Sequence, residues 1–316
     1  MKLTKSVSFL FVLTCLIIIG ACSEDSPEPP VEVVESGEFL DDFTYRVFPK
    51  PGDNFDIAEF RLWFPESVEG TKLILVLSHS YNSNGLGMAD SKIWQEYAKA
   101  EHMAILSVHF KNLTDSGGYY ALANEGSGKA LLEALTVLSN KHEHGFLAEL
   151  PMVLRGYSAG GVFSHSFSSF LPRRVVAFAN IRGGGVQDSG EENINIPGLM
   201  FYGELDNQGR NDRIKEVVVD KRSIGGQWAV VQESQVDHFG SSEKADALIR
   251  EFFSSCARKR LTEGSNELMT LSEEQGWLGN NSTYEVKSFD QYSEEKEHAS
   301  WLVDSDFARL WSDFQQ

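Results

Sequence analysis

The sequence predicts an α/β fold, a mostly parallel sheet entered through antiparallel strands and covered by helices on both faces. Three features of the 316-residue chain carry that expectation. Residues 43–48 (FTYRVF) and 58–64 (AEFRLWF) alternate apolar with polar side chains around a Pro-Gly-Asp-Asn turn at 51–54, as a half-solvated antiparallel pair at a sheet edge does. From residue 72 the character changes, because KLILVL is a continuous apolar run suited to a strand buried on both faces. Further apolar runs then alternate with helical patterns, which builds a parallel sheet through crossover connections.

Taken in order, a helix is expected over 90–101, a strand over 103–110 and a helix over 127–141. Met152, Val153 and Leu154 begin a buried strand, and a helix follows over 159–170. Strands are expected again at 175–179, 199–202 and 228–231, before a last long helix at 244–257. The short connection between residues 181 and 198 leaves no room for a large lid. Beyond 260 the chain carries Trp277, Trp301 and Trp311, and spaced tryptophans imply a tail folded back on the body, by packing more than by carbohydrate stacking.

The N-terminus pairs Lys2 and Lys5 with an apolar run over 7–19, short of the roughly 20 residues a membrane span needs. It ends in Ile19-Gly20-Ala21-Cys22. This resembles a bacterial lipoprotein signal, which implies cleavage before Cys22, lipidation of its thiol and a membrane-anchored protein outside the cytoplasm. Residues 22–40 read as an acidic, Pro-rich tether whose Ser23-Glu24-Asp25 start is similar to that of lipoproteins sent to the cell surface. The organisation expected is therefore signal peptide 1–21, tether 22–40, a folded body 41–260 and an extension 261–316 packed on it. Cys15 and Cys22 lie in or at the end of the signal, so the body holds only Cys256 and no internal disulfide can form; the setting of Cys256 reads as a buried structural thiol. A net charge of −18 argues against a nucleic-acid partner.

Chemistry concentrates at Gly156-Tyr157-Ser158-Ala159-Gly160, directly after the strand begun at Met152. A serine lifted on a tight strand-to-helix turn needs neighbours without side chains, and the helix start that follows favours developing negative charge. With the strand and helix order, this nucleophile elbow makes residues 41–260 resemble an α/β-hydrolase. A phosphate-loop reading of 126–129 fails because Ala123 and Ala130 replace required residues, and Gly183-Gly184-Gly185 lacks dinucleotide spacing. Neither a nucleotide cofactor nor a metal is expected.

A serine needs a base to take its proton and an acid to orient that base. The apolar strand near 199–202 runs into Gly203-Glu204-Leu205-Asp206, and Asp206 matches the acid position of the resembled family, with Glu204, Asp212 and Asp188 as rivals. His238 leaves the last strand in the loop where that fold presents its base. His79, His109, His165, His102, His142, His144 and His298 fall too early, in helices, at helix ends or in the tail. The resemblance also implies two backbone donors for an oxyanion, Ala159 N–H and Tyr81 N–H, the latter from Leu77-Ser78-His79-Ser80-Tyr81 with Ser80 as the fallback. Lys111, Tyr119, Tyr120 and Arg182 follow strand ends, where substrate contacts gather.

The function expected is a serine esterase without cofactor, acting through an acyl-serine on acetyl or feruloyl groups of a polysaccharide or oligosaccharide. It resembles secreted feruloyl and acetyl esterases and polyester depolymerases. The alternatives are a peptidase of the same fold and a glycan-binding surface lipoprotein without catalysis.

Overall fold

A computed structural model describes residues 36–112, 119–187 and 190–316. The expected signal peptide, Cys22 and most of the tether lie outside the described residues, as does Asp188. Strands β1 (Gly37–Asp41), β2 (Thr44–Val47) and β3 (Ile57–Trp63) form an antiparallel ribbon. There follow β4 (Leu73–Ser78), α1 (Lys92–Ala100), β5 (Met103–Lys111), α2 (Ser127–Lys141) and β6 (Met152–Tyr157). The order continues with α3 (Ala159–Phe170), β7 (Val175–Ile181), β8 (Gly198–Gly203), α4 (Gln208–Ser223), β9 (Trp228–Glu233) and α5 (Glu243–Arg260).

Nine strands make one sheet in the order β1-β2-β3-β5-β4-β6-β7-β8-β9, antiparallel as far as the β3–β5 pair and parallel beyond it. Strand β4 is flanked by β5 on one side and β6 on the other. The chain therefore reverses its direction of travel across the sheet there, and a crevice opens at the carboxyl ends of β4 and β6. Pleating sorts the core into two layers. Ile74 and Val76 of β4 pack in the layer of α2, α3 and α4, whereas Leu73, Leu75 and Leu77 face the layer of α1 and α5. Cys256 is buried in α5, and desolvation pushes its thiol well above the usual range, so it is chemically quiet.

Two expectations need correction. The sheet begins at Gly37, inside the segment read as tether, because an outermost antiparallel strand is held by backbone bonds to β2 and can leave most of its side chains in water. Helix α4 went unrecognised because its buried side includes Asn211, Lys221 and Arg222 beside Ile214, Val217 and Val218. Arg222 is satisfied by the Ala299 carbonyl at 2.9 Å and by Glu273 at 2.6 Å, so burial is tolerated while the apolar period is broken.

The tail folds as β10 (Trp277–Asn280), β11 (Val286–Ser288), β12 (Ala299–Leu302) and α6 (Ser305–Gln315), with the three strands ordered β11-β10-β12. Trp301 and Trp311 are buried, and Trp277 is half-buried. The tail also satisfies the free edge of β9. Val230 N–H donates to Ser300 Oγ at 2.9 Å, Trp311 Nε1 donates to the Val230 carbonyl at 2.9 Å, and Gln232 N–H donates to Gln315 Oε1 at 3.1 Å. An open strand edge is thereby closed by side chains.

Candidate active site

Strand β6 ends at Tyr157 and α3 begins at Ala159, so Ser158 alone makes the turn, at φ 54° and ψ −118°. Such a backbone is strained for a residue with a side chain and persists only where the surroundings enforce it. They do so here by close approach. A methyl group on Gly156 would overlap the Gly160 carbonyl, and one on Gly160 would overlap the His79 carbonyl. Ser158 N–H donates to the Ile181 carbonyl at 2.8 Å, and its own carbonyl starts the helix by accepting from Gly161 and Val162 at 2.9 and 3.1 Å. Gly156→Ala is therefore expected to lower stability by about 3 kcal/mol, the upper range for overpacking, and to displace Ser158. Chemical denaturation and the rate of fluorophosphonate labelling check the two effects.

The carboxyl end of β8 supplies Asp206 and the loop after β9 supplies His238. His238 Nε2 lies 3.0 Å from Ser158 Oγ, and His238 Nδ1 lies 3.0 Å from Asp206 Oδ2. Asp206 is almost wholly buried, with 3% of its side chain exposed, and its other oxygen is separately held. Oδ1 accepts from Asn207 N–H at 2.6 Å and from the Arg210 guanidinium, which leaves Oδ2 for the imidazole. The rivals are engaged elsewhere. Glu204 accepts from Gln235 N–H at 2.8 Å, and Asp212 accepts from Gln208 at 2.6 Å. Among the other histidines, His109 pairs with Glu59 at 2.7 Å and His165 packs edge-on against Trp228.

The loop after β4 faces the same turn. Ser80 N–H donates to His79 Nδ1 at 2.8 Å, so this fallback donor is already engaged. Burial, helped by Arg155, holds the His79 imidazole below its usual range, neutral and able to accept that bond. No hydrogen bond between described residues uses the N–H of Tyr81 or of Ala159. The Tyr81 ring lies 5.8 Å from Tyr120 and 12° from parallel, and Asn82 N–H donates to Tyr120 Oη at 3.1 Å, which fixes the loop.

Tyr120 and Arg182, expected as substrate contacts, are instead buried supports of the loops, while Lys111 and Tyr119 are half-buried. Arg210 and Tyr157 were not anticipated. Arg210 follows Asp206 by one helical turn, a spacing readable in retrospect. The single grouping of potential metal ligands among the described residues, Glu295, Glu297 and His298, is exposed in the tail.

A sheet antiparallel at its start and parallel beyond, a switch point between β4 and β6, and an elbow at the end of β6 together define the architecture. The chain has the α/β-hydrolase fold. No protein-family model matches the sequence, and no curated protein matches it significantly. Among solved structures it is similar to LpqC, a poly(3-hydroxybutyrate) depolymerase from Bordetella parapertussis, at 14% identity and TM-score 0.47, over 70% of this chain and 90% of that one. It is similar to poly(aspartic acid) hydrolase-1 from Sphingomonas sp. KT-1 at 15% identity and TM-score 0.49, over 64% and 95% of the two chains. A thermostable esterase aligns at 17% identity and TM-score 0.46, over 65% of this chain and 56% of that one.

Proposed function

We propose that the protein is a serine hydrolase of carboxylic esters, with Ser158 as nucleophile, His238 as base and Asp206 as its orienting acid. The observation that carries this reading is the unbroken chain of 3.0 Å contacts from Ser158 Oγ through His238 to Asp206. As Oγ attacks the ester carbonyl, His238 Nε2 takes its proton. The tetrahedral oxyanion is received by the N–H groups of Ala159 and Tyr81, the first at the start of α3, where the helix dipole adds stabilisation. Collapse expels the alcohol, which regains the proton from His238. Water activated by the same imidazole then releases the acid from the acyl-serine.

The preferred substrates are acyl groups carried on a polymer, with acetyl or feruloyl esters of polysaccharide or oligosaccharide first among them. Two features support this choice. Among the described residues no helix is inserted between β7 and β8, so the site is open. Each site loop also places an exposed apolar side chain next to a functional residue: Tyr81, Leu205 beside Asp206, and Phe239 beside His238, the last 85% exposed. Anchoring through a lipidated Cys22, outside the cytoplasm and at the cell surface, belongs to the same proposal and rests on the sequence. Cys22→Ser is expected to move the protein out of the membrane fraction.

Hydrolysis of p-nitrophenyl acetate tests the chemistry. Acetylated and feruloylated glycans then test the substrate class, with release of free acid as the readout.

A further inference from the structure

The fully buried guanidinium of Arg182 has no part in the chemistry above, yet it lies beneath the loop that carries the base. Arg182 directly follows β7, turns the chain at φ 57° and donates its N–H to the Phe201 carbonyl at 3.0 Å. Its Nη1 donates to the carbonyls of Asp237, His238 and Gly240 at 2.8, 3.3 and 2.9 Å, and Nη2 donates to that of Ser241 at 3.2 Å. Four carbonyls from five consecutive residues thus converge on one cation. Without it, the Gly240 and Ser241 carbonyls would lose a donor in part-buried surroundings, and those of Asp237 and His238 would keep only the Gly240 N–H and the Tyr157 hydroxyl.

Two neighbours complete the arrangement. Tyr157, the residue before Ser158, donates its hydroxyl to the same His238 carbonyl, lies 5.8 Å from the His238 ring at 26° and has Arg182 5.3 Å from its centroid. Glu233, at the end of β9, places Oε2 2.9 Å from Arg182 Nε but outside hydrogen-bonding geometry, and its Oε1 accepts from Nη2 at 3.5 Å; burial pushes this carboxyl up to about 7 against the pull of Arg182, and the shorter directed bonds go to the carbonyls. The far end of the loop is also held, because Arg155 of β6 donates to Ser242 Oγ at 2.9 Å.

We infer that Arg182 and Tyr157 are positioning residues for His238, fixing its backbone to the elbow so that Nε2 stays within reach of Ser158 Oγ. The inference rests on the proposed serine chemistry and extends it. Asp206 and Ser158 orient the imidazole from its edges, but neither fixes the Cα position from which the ring hangs. Arg182 does this from strand β7, and Tyr157 does it from the nucleophile's own strand. The base and the nucleophile thereby move as one body.

The test measures kcat and KM on p-nitrophenyl acetate and the rate of fluorophosphonate labelling at Ser158, in the full-length chain. Labelling reports activation of the nucleophile without dependence on the ester bound. Tyr157→Phe is expected to lower kcat and the labelling rate by about 10-fold, with KM changed less than about 2-fold. Arg182→Gln is expected to lower both rates by about 100-fold, and Arg182→Lys to recover part of the loss, since an ammonium reaches fewer of the carbonyls than a guanidinium fork. Thermal unfolding is followed alongside. Should Arg182→Gln fail to fold, Tyr157→Phe decides, because only one hydroxyl has been removed. Wild-type labelling and kcat in Tyr157→Phe would overturn the inference while leaving the nucleophile in place, provided Ser158→Ala is inactive. Hydrolysis persisting in Ser158→Ala would instead overturn the proposed function.

Discussion

Asp206→Asn is expected to lower kcat by about four orders of magnitude while leaving the fold intact. The reason lies in how the carboxylate is shared. One oxygen accepts from Asn207 N–H and Arg210, the other from His238 Nδ1. An asparagine has a single carbonyl oxygen and cannot serve both sides. The Arg210 guanidinium and Asn207 N–H are fixed donors and claim it, so the amide NH₂ faces the histidine. Nδ1 must then accept, which moves the ring proton to Nε2 and leaves no lone pair there for the serine. Steady-state kinetics with circular dichroism check this, and retention of more than about a tenth of wild-type kcat would argue that the acid lies elsewhere.

A chain ending at Arg260 is expected not to fold stably, although every residue of the proposed machinery would be present. Removing the tail uncovers the β9 edge at Val230 and Gln232 and strips Trp301, Trp311 and Phe307 from the layer that contains α5. Loss of a single buried tryptophan costs about 3–5 kcal/mol, and whole-protein stability is about 5–15 kcal/mol. Losing several such contacts together exceeds that margin. Size-exclusion chromatography and thermal unfolding of the truncated chain test it; a monomer melting close to the intact protein would show the tail to be dispensable.

The parts of this fold legible in the sequence are those where one physical cause dominates. A strand buried on both faces, such as β4, must be uniformly apolar, and an elbow that presses backbone against backbone must be glycine at Gly156 and Gly160. Asp206 and His238 could be named as candidates because each follows a strand end at a position that the resembled fold uses, and the structure brings the two side chains within 3.0 Å. Where two causes compete, the pattern is lost. Helix α4 hides its period behind buried Arg222 and Lys221, whose charges are answered by carbonyls distant in sequence. Strand β1 reads as tether because backbone pairing needs no apolar code. Arg182 reads as a substrate contact after a strand end, since nothing local in sequence announces that the carbonyls it serves lie beyond residue 236.

The central claim is that Ser158 is the nucleophile and passes through a covalent intermediate. Fluorophosphonate labelling of the folded protein, mapped by peptide mass, tests it most directly beside hydrolysis of p-nitrophenyl acetate. The expected result is one phosphonylated residue, Ser158, with turnover in wild type and neither label nor turnover in Ser158→Ala. Folded wild-type protein that neither labels nor hydrolyses, or a label on another serine with Ser158→Ala still active, would contradict the account.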